Sequence, residues 1–190
     1  ISIAVGKIKA GMGHVYVAGG TESMSMIPMT GYKLAPNYNV SKDTPDYVVS
    51  MGLTAEAVAK KYGISREAAD TFSYESHLKA AQAIDAGRFT DEIVPIEVEE
   101  VFVKDGKRAS SKHTVAMDEG VRRSTTVDAL GKLRSAFAQK GIVTAGNASQ
   151  TSDGAAFTLV VSEEIVKKFN LQPIARLASC SVAGVDPLYM

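Results

Sequence analysis

Residues 146–156 read GNASQTSDGAA, small and polar almost throughout, and they run straight into FTLVV at 157–161. The second run is β-branched and aromatic, the composition of a buried strand. A polar stretch at the mouth of such a strand is either an ordinary turn or a rim that holds a ligand. Composition alone does not separate the two. Working outward, Ser162 is placed to cap a short helix over EEIVKKF, and after Pro173 the run IARLASCSV predicts a further strand.

The start of the chain has the same style. In ISIAVGKIKAG, Ile1, Ala4, Val5 and Ile8 fall at helical spacing, and Gly11 and Gly13 close the run. HVYVAGG at 14–20 then reads as a short strand opening into a tight Gly-Gly turn. Helix, glycine and strand in this order predict an α/β layer at both ends of the chain.

Between the ends the style changes. Residues 21–47 carry three prolines, two asparagines and no clear period, which predicts a long loop. TAEAVAKKYG predicts a helix stopping at Gly63; Ser65 is a fair N-cap for the next, with Glu67 in its first turn. Ala69, Phe72, Ser76, Ala80, Ala83 and Ile84 form one stripe at helical spacing, ended by Gly87. EIVPIEVEEVFV is β-branched but broken by Pro95, hence an edge strand or two short strands, and KDGK is a turn. The segment from Arg108 to Ser124 is polar and is taken as irregular. Thr125 with Asp128 resembles a capping box for a short helix whose buried side is Val127, Leu130 and Leu133. A mostly helical module, residues 21–140, is thus expected to be inserted between HVYVA and FTLVV, two strands of one sheet.

Composition removes several function classes. The 190 residues include 21 basic and 21 acidic side chains, a balance that argues against a nucleic-acid-binding face. No apolar run approaches the roughly 18 residues of a membrane span. One cysteine excludes an internal disulfide. His14, His77 and His113 are scattered, with no Cys or acidic cluster at ligand spacing, so no metal site is expected. AGGTES lacks both the dinucleotide-binding spacing and the lysine of a phosphate loop. Cys180 lies in the predicted strand LASCSVA, where a thiol behaves as a small hydrophobe rather than a nucleophile. Arg122 and Arg123 follow Asp118 and Glu119 in a polar loop; they read as a solvated charge cluster or as a guanidinium grip on phosphate.

Six separate stretches follow one another along the chain: VAGGTESMS, MGLTAE followed by YGISREAAD, AGRFTDEIVP, DEGVRRSTTVDALGKLR, TAGNASQTSDGAA and VAGVDP. Together they resemble the thiolase family, in family order and spacing. The resemblance covers nearly the whole chain. It implies a partial thiolase-like α/β fold: residues 1–20 and 141–170 in the N-terminal α/β half, 21–140 as an inserted, coenzyme A-binding loop domain, and 171–190 opening the C-terminal half. It also implies coenzyme A contacts. Arg122, in VRRST, matches the family arginine near the ADP moiety. Ser149 matches the serine at the pantetheine arm. Met51, Phe137 and Ala145 match residues lining the pantetheine or acyl tunnel. On this basis the opening stretch faces a ligand.

The resemblance implies no catalytic residue within the chain. The family's nucleophilic cysteine would fall a few residues before Ile1. The catalytic histidine, the second cysteine and the Asn-Glu-Ala-Phe motif would fall beyond Met190. The chain is thus expected to be an internal piece of a longer enzyme, with coenzyme A as substrate rather than covalently bound cofactor. Its partners would be acyl-CoA, the rest of the thiolase chain, and further copies in a homodimer or homotetramer. Its compartment would be cytoplasmic in a bacterium, mitochondrial or peroxisomal in a eukaryote. Ser50, where acetoacetyl-forming members usually carry His, and SQTSDGAA favour the degradative, 3-ketoacyl-CoA-cleaving type. The alternatives are the biosynthetic acetoacetyl-CoA type, a non-catalytic acyl-CoA or lipid-binding relative, and a generic α/β regulatory domain.

Overall fold

The computed structural model describes residues 1–189. They divide into two compact units, residues 1–49 with 151–189, and Ser50–Gln150.

In the first unit, helix α1 (Ser2–Lys9) leads through Gly11, at a left-handed φ of 71°, into strand β1 (Val15–Ser23). Strand β4 (Asp153–Val161) pairs with β1 antiparallel, in register from Val15 opposite Val161 to Ser23 opposite Asp153. The style change at Thr21 is therefore not the end of the strand. Gly19 sits opposite Phe157, and a Cβ there would fall 2.4 Å from the ring, so the aromatic side chain covers its bare backbone. Asp153 anchors the end of the ladder by accepting from the Ser25 N–H at 2.8 Å and from the Ser25 hydroxyl. These two bonds hold the Asp153 carboxyl below its ordinary value. A short helix α2 (Tyr38–Asp43) and a 3-10 turn (Pro45–Val48) lie in the long loop. Helix α6 (Glu163–Phe169) is capped by Ser162 and ends at Asn170 in the left-handed region.

Two expectations fail in this unit. FTLVV is not buried: Phe157 is 66% and Leu159 58% exposed, because β4 has one neighbouring strand and no layer covers these side chains. The segment IARLASCSV forms no strand, since no partner ladder receives its backbone, and Cys180 is exposed rather than packed in a sheet.

The second unit opens with α3 (Met51–Tyr62), capped by Ser50 and stopped by Gly63 at φ 65°, and continues with α4 (Arg66–Asp85), capped by Ser65. Strands β2 (Ile96–Lys104) and β3 (Lys107–Val115) form an antiparallel hairpin around Asp105-Gly106, both at positive φ. The polar stretch after the KDGK turn is therefore largely a strand: the tight turn delivers Lys107 onto β2, and backbone pairing outweighs its weak β composition. Pro95 precedes β2 rather than interrupting it. Helix α5 (Val127–Gly131) is capped by Thr126, whose hydroxyl accepts from the Ala129 N–H, and not by Thr125. Leu130 is buried.

The stripe proposed for α4 holds in part: Ala69, Ala80, Ala83 and Ile84 are half-buried. Phe72 and Ser76 are exposed, whereas Arg66, Asp70, Ser73, His77 and Ala81 lie on the covered side. That side is mostly polar because it receives charged and backbone partners from the loops that follow.

Candidate functional site

All five side chains singled out from the sequence fall within Ser50–Gln150. Met51 opens α3, and its neighbour Gly52 is buried beneath the ring of Phe137. A Cβ at Gly52 would lie 2.3 Å from that ring, so the absence of a side chain is what brings Phe137 onto the start of the helix. Met51 and Phe137 themselves remain about half exposed.

Ala145 and Ser149 lie on the segment 141–150, and both are exposed. Among the described residues the Ser149 hydroxyl donates to the Gln150 carbonyl alone, at 3.3 Å. The residues just before them, Val143 and Thr144, turn inward. Thr144 is 0% exposed and forms a bridge with Ser135. Its N–H donates to Asn147 Oδ1 at 2.7 Å, and its Oγ1 accepts from the Gly146 N–H at 3.1 Å. Asn147 Nδ2 donates to the Ile142 carbonyl and to Asp70 Oδ1, each at 2.9 Å. Glu56 on α3 accepts from the N–H groups of Ile142 and Val143 at 3.0 and 2.9 Å. Asp70, 1% exposed, takes Arg66 Nε on its other oxygen at 2.6 Å, and Arg66 Nη2 reaches the carbonyls of Leu130 and Leu133. Buried polar groups are held this way or not at all, since an unpaired one costs about 1–3 kcal/mol.

Arg122 lies on an adjoining loop. The Gln150 side chain packs directly on Gly120, where a Cβ would fall 1.8 Å from Nε2. The loop that carries the cation thus touches the loop that carries the hydroxyl. The backbone N–H of Arg122 donates to His77 Nδ1 at 3.2 Å, which fixes the main chain and leaves the guanidinium outside any ion pair among the described residues. Arg123 differs: its Nη1 bonds Asp85 Oδ2 at 2.8 Å. That hydrogen bond, with the adjacent positive charge, holds Asp85 below its ordinary carboxylate value and raises Arg123.

Sequence reasoning did not find Glu56, Asp70, His77, Thr144 or Asn147. One signal was available: Arg66, Asp70, Ser73 and His77 repeat at helical spacing, a polar stripe as regular as the apolar one. Among the described residues no group of three or more His, Cys, Asp or Glu side chains is placed to hold a metal ion.

Comparison with known proteins bears on the family of the chain. Residues 1–164 match the family described as Thiolase, N-terminal domain. The chain is 46% identical over 191 residues to the 3-ketoacyl-CoA thiolase of Bacillus subtilis (strain 168), covering 100% of this chain and 49% of that protein. The crystal structure of the Bacillus anthracis acetyl-CoA acetyltransferase superposes with a TM-score of 0.78 at 36% identity, covering 99% of this chain and 48% of that one. The dimeric peroxisomal thiolase of Saccharomyces cerevisiae gives a TM-score of 0.73 at 34% identity, over 89% of this chain and 42% of that one. The chain belongs to the thiolase family. It spans about half the length of the curated relatives it matches.

Proposed function

We propose that this chain carries the coenzyme A-binding surface, and part of the acyl pocket, of an acyltransferase. The enzyme cleaves a 3-ketoacyl-CoA with free coenzyme A to give acetyl-CoA and a shortened acyl-CoA, a step of fatty-acid β-oxidation. In this reading a cysteine thiolate attacks the 3-keto carbon, acetyl-CoA leaves, and incoming coenzyme A takes the acyl group from the enzyme. We assign the nucleophile, the catalytic histidine and the second cysteine to sequence outside residues 1–190. Arg122 meets the ADP end of coenzyme A, Ser149 the pantetheine arm, and Met51, Phe137 and Ala145 line the pantetheine or acyl tunnel. Dimeric or tetrameric assembly of the parent protein belongs to the same reading.

The observation that carries the proposal is the junction of the two loops through Gln150 and Gly120. It sets an exposed guanidinium outside any ion pair among the described residues, and an exposed hydroxyl, on neighbouring segments. That is the order of groups a ligand with a phosphate end and an amide-bearing arm requires. The test is coenzyme A binding by calorimetry in the complete gene product. Arg122→Ala should weaken affinity roughly tenfold to a hundredfold, the worth of a charge-assisted contact, and Ser149→Ala by less, about 0.5–1.5 kcal/mol. Because Asp85 holds Arg123, that residue should not substitute for Arg122. Unchanged affinity in both variants would refute the assignment.

The biosynthetic, acetoacetyl-CoA-forming reading retains one supporting observation, the likeness to an acetyl-CoA acetyltransferase. Turnover of acetoacetyl-CoA against longer 3-ketoacyl-CoA substrates separates the two.

A further inference from the structure

We propose that Thr144 and Asn147 are positioning residues for the ligand loop: they fix residues 145–149 in the coenzyme A-binding conformation before ligand arrives. The inference rests on the coenzyme A reading above. A plain turn needs one or two backbone bonds and leaves its other polar groups to water. The segment 141–150 is built differently. Its backbone groups at Ile142, Val143, Thr144 and Gly146 are taken by side-chain atoms of Glu56, Asn147 and Thr144. Two different helices supply the braces, Glu56 from α3 and Asp70 from α4.

The chemistry of the braces is restrictive. Two donors, Arg66 Nε and Asn147 Nδ2, converge on the two oxygens of Asp70, so only an acceptor-only side chain serves there; an amide would set donor against donor. Asn147 in turn must both accept, from the Thr144 N–H, and donate, to Asp70 and the Ile142 carbonyl. Thr144 and Asp70 are buried, and the hydrogen bonds of Asn147 run to the Thr144 N–H, the Ile142 carbonyl and Asp70. Their effect on ligand is therefore indirect. The ordering entropy of the loop is spent at folding, and coenzyme A meets a preset surface instead of ordering one.

The prediction is a split between binding and turnover, measured in the complete gene product. Thr144→Val keeps the shape and removes the acceptor for the Gly146 N–H; Thr144→Ser keeps the acceptor. With Val, Kd and KM for coenzyme A should rise roughly fivefold or more, kcat at saturating coenzyme A should hold, and amide exchange at residues 145–149 should speed up. Ser should restore the affinity. If Thr144→Val does not fold, an exchange of groups decides the matter. Asn147→Asp places a carboxylate against Asp70 and should weaken coenzyme A binding; adding Asp70→Asn restores the donor–acceptor pair between the two side chains, but not the bond to the Ile142 carbonyl, and should recover part of the loss. Equal coenzyme A affinity in the Val and Ser variants, or a double variant no tighter than Asn147→Asp, overturns the inference. Ser149→Ala and Arg122→Ala serve as references. If they weaken binding while Thr144→Val does not, the positioning role fails by itself. If none of the three weakens it, the coenzyme A reading fails and takes this inference with it.

Discussion

Two segments of the chain lack helix and strand, and they are opposites. Residues 141–150 are polar, yet Val143 and Thr144 are buried and the backbone is braced from two helices. Residues 171–186 include an apolar run that reads as a strand, yet they form none, and Ile174 and Val182 are 103% and 98% exposed. Hydropathy would rank the two the other way round. What separates them is whether the backbone N–H and C=O groups find partners. In the first segment the Glu56 carboxylate, the Asn147 amide and the Thr144 hydroxyl supply them; in the second no neighbouring strand does among the described residues.

The contrast is sharpened or broken by four measurements of unfolding or labelling on the chain. The largest effect is expected for Asp70→Ala. It strands Arg66 and Asn147 at a buried position and should cost about 3–5 kcal/mol, read as a shift of the urea midpoint. Glu56→Gln should cost less, about 1.5–3 kcal/mol, because an amide can accept one of the two N–H bonds but turns a donor toward the other. Ile174→Ser should change stability by no more than about 0.5 kcal/mol, and Cys180 should react readily with iodoacetamide without disturbing the unfolding midpoint. A large loss at Ile174, or a protected Cys180, would mean that the second segment is held as firmly as the first.

The smallest effect is a pH dependence at Asp85. Its folded value lies below 3.8, so the pairing with Arg123 stabilises fully above that pH and is lost as pH falls through the lower folded value. The stability difference between the native chain and Asp85→Asn should therefore hold from neutral pH down to 3.8 and close as pH falls below it. A difference that persists in acid would assign the effect to something other than the ion pair.

Much of the framework was legible. Gly63 and Gly87, and the caps Ser65 and Ser162, are local devices whose mechanism operates within one turn, so neighbouring residues suffice to read them. The strand β3 was not legible because Lys107–Val115 has little strand character of its own; its conformation comes from register with β2. The polar face of α4 was missed for a related reason. Asp70 is buried only because Asn147, far along the chain, returns to it, and a periodicity search for apolar residues passes over such a position. The candidate ligand residues were reached through resemblance to a family. The side chains that brace them carry no motif, and only their geometry identifies them.

The pairing of β1 with β4 has a kinetic consequence. The nearest partners, Ser23 and Asp153, are separated by the whole of the second unit. Closing so long a loop in an unfolded chain costs on the order of 4 kcal/mol in entropy by the logarithmic scaling with length. The helices α3 and α4 and the β2–β3 hairpin of Ser50–Gln150 form by local contacts and need no such closure, and its braces Glu56–Val143 and Asp70–Asn147 close shorter loops, with separations of 87 and 77 residues. The second unit should therefore fold first and the sheet should zip last, so substitutions along β1 should leave the folding rate nearly unchanged and speed unfolding instead.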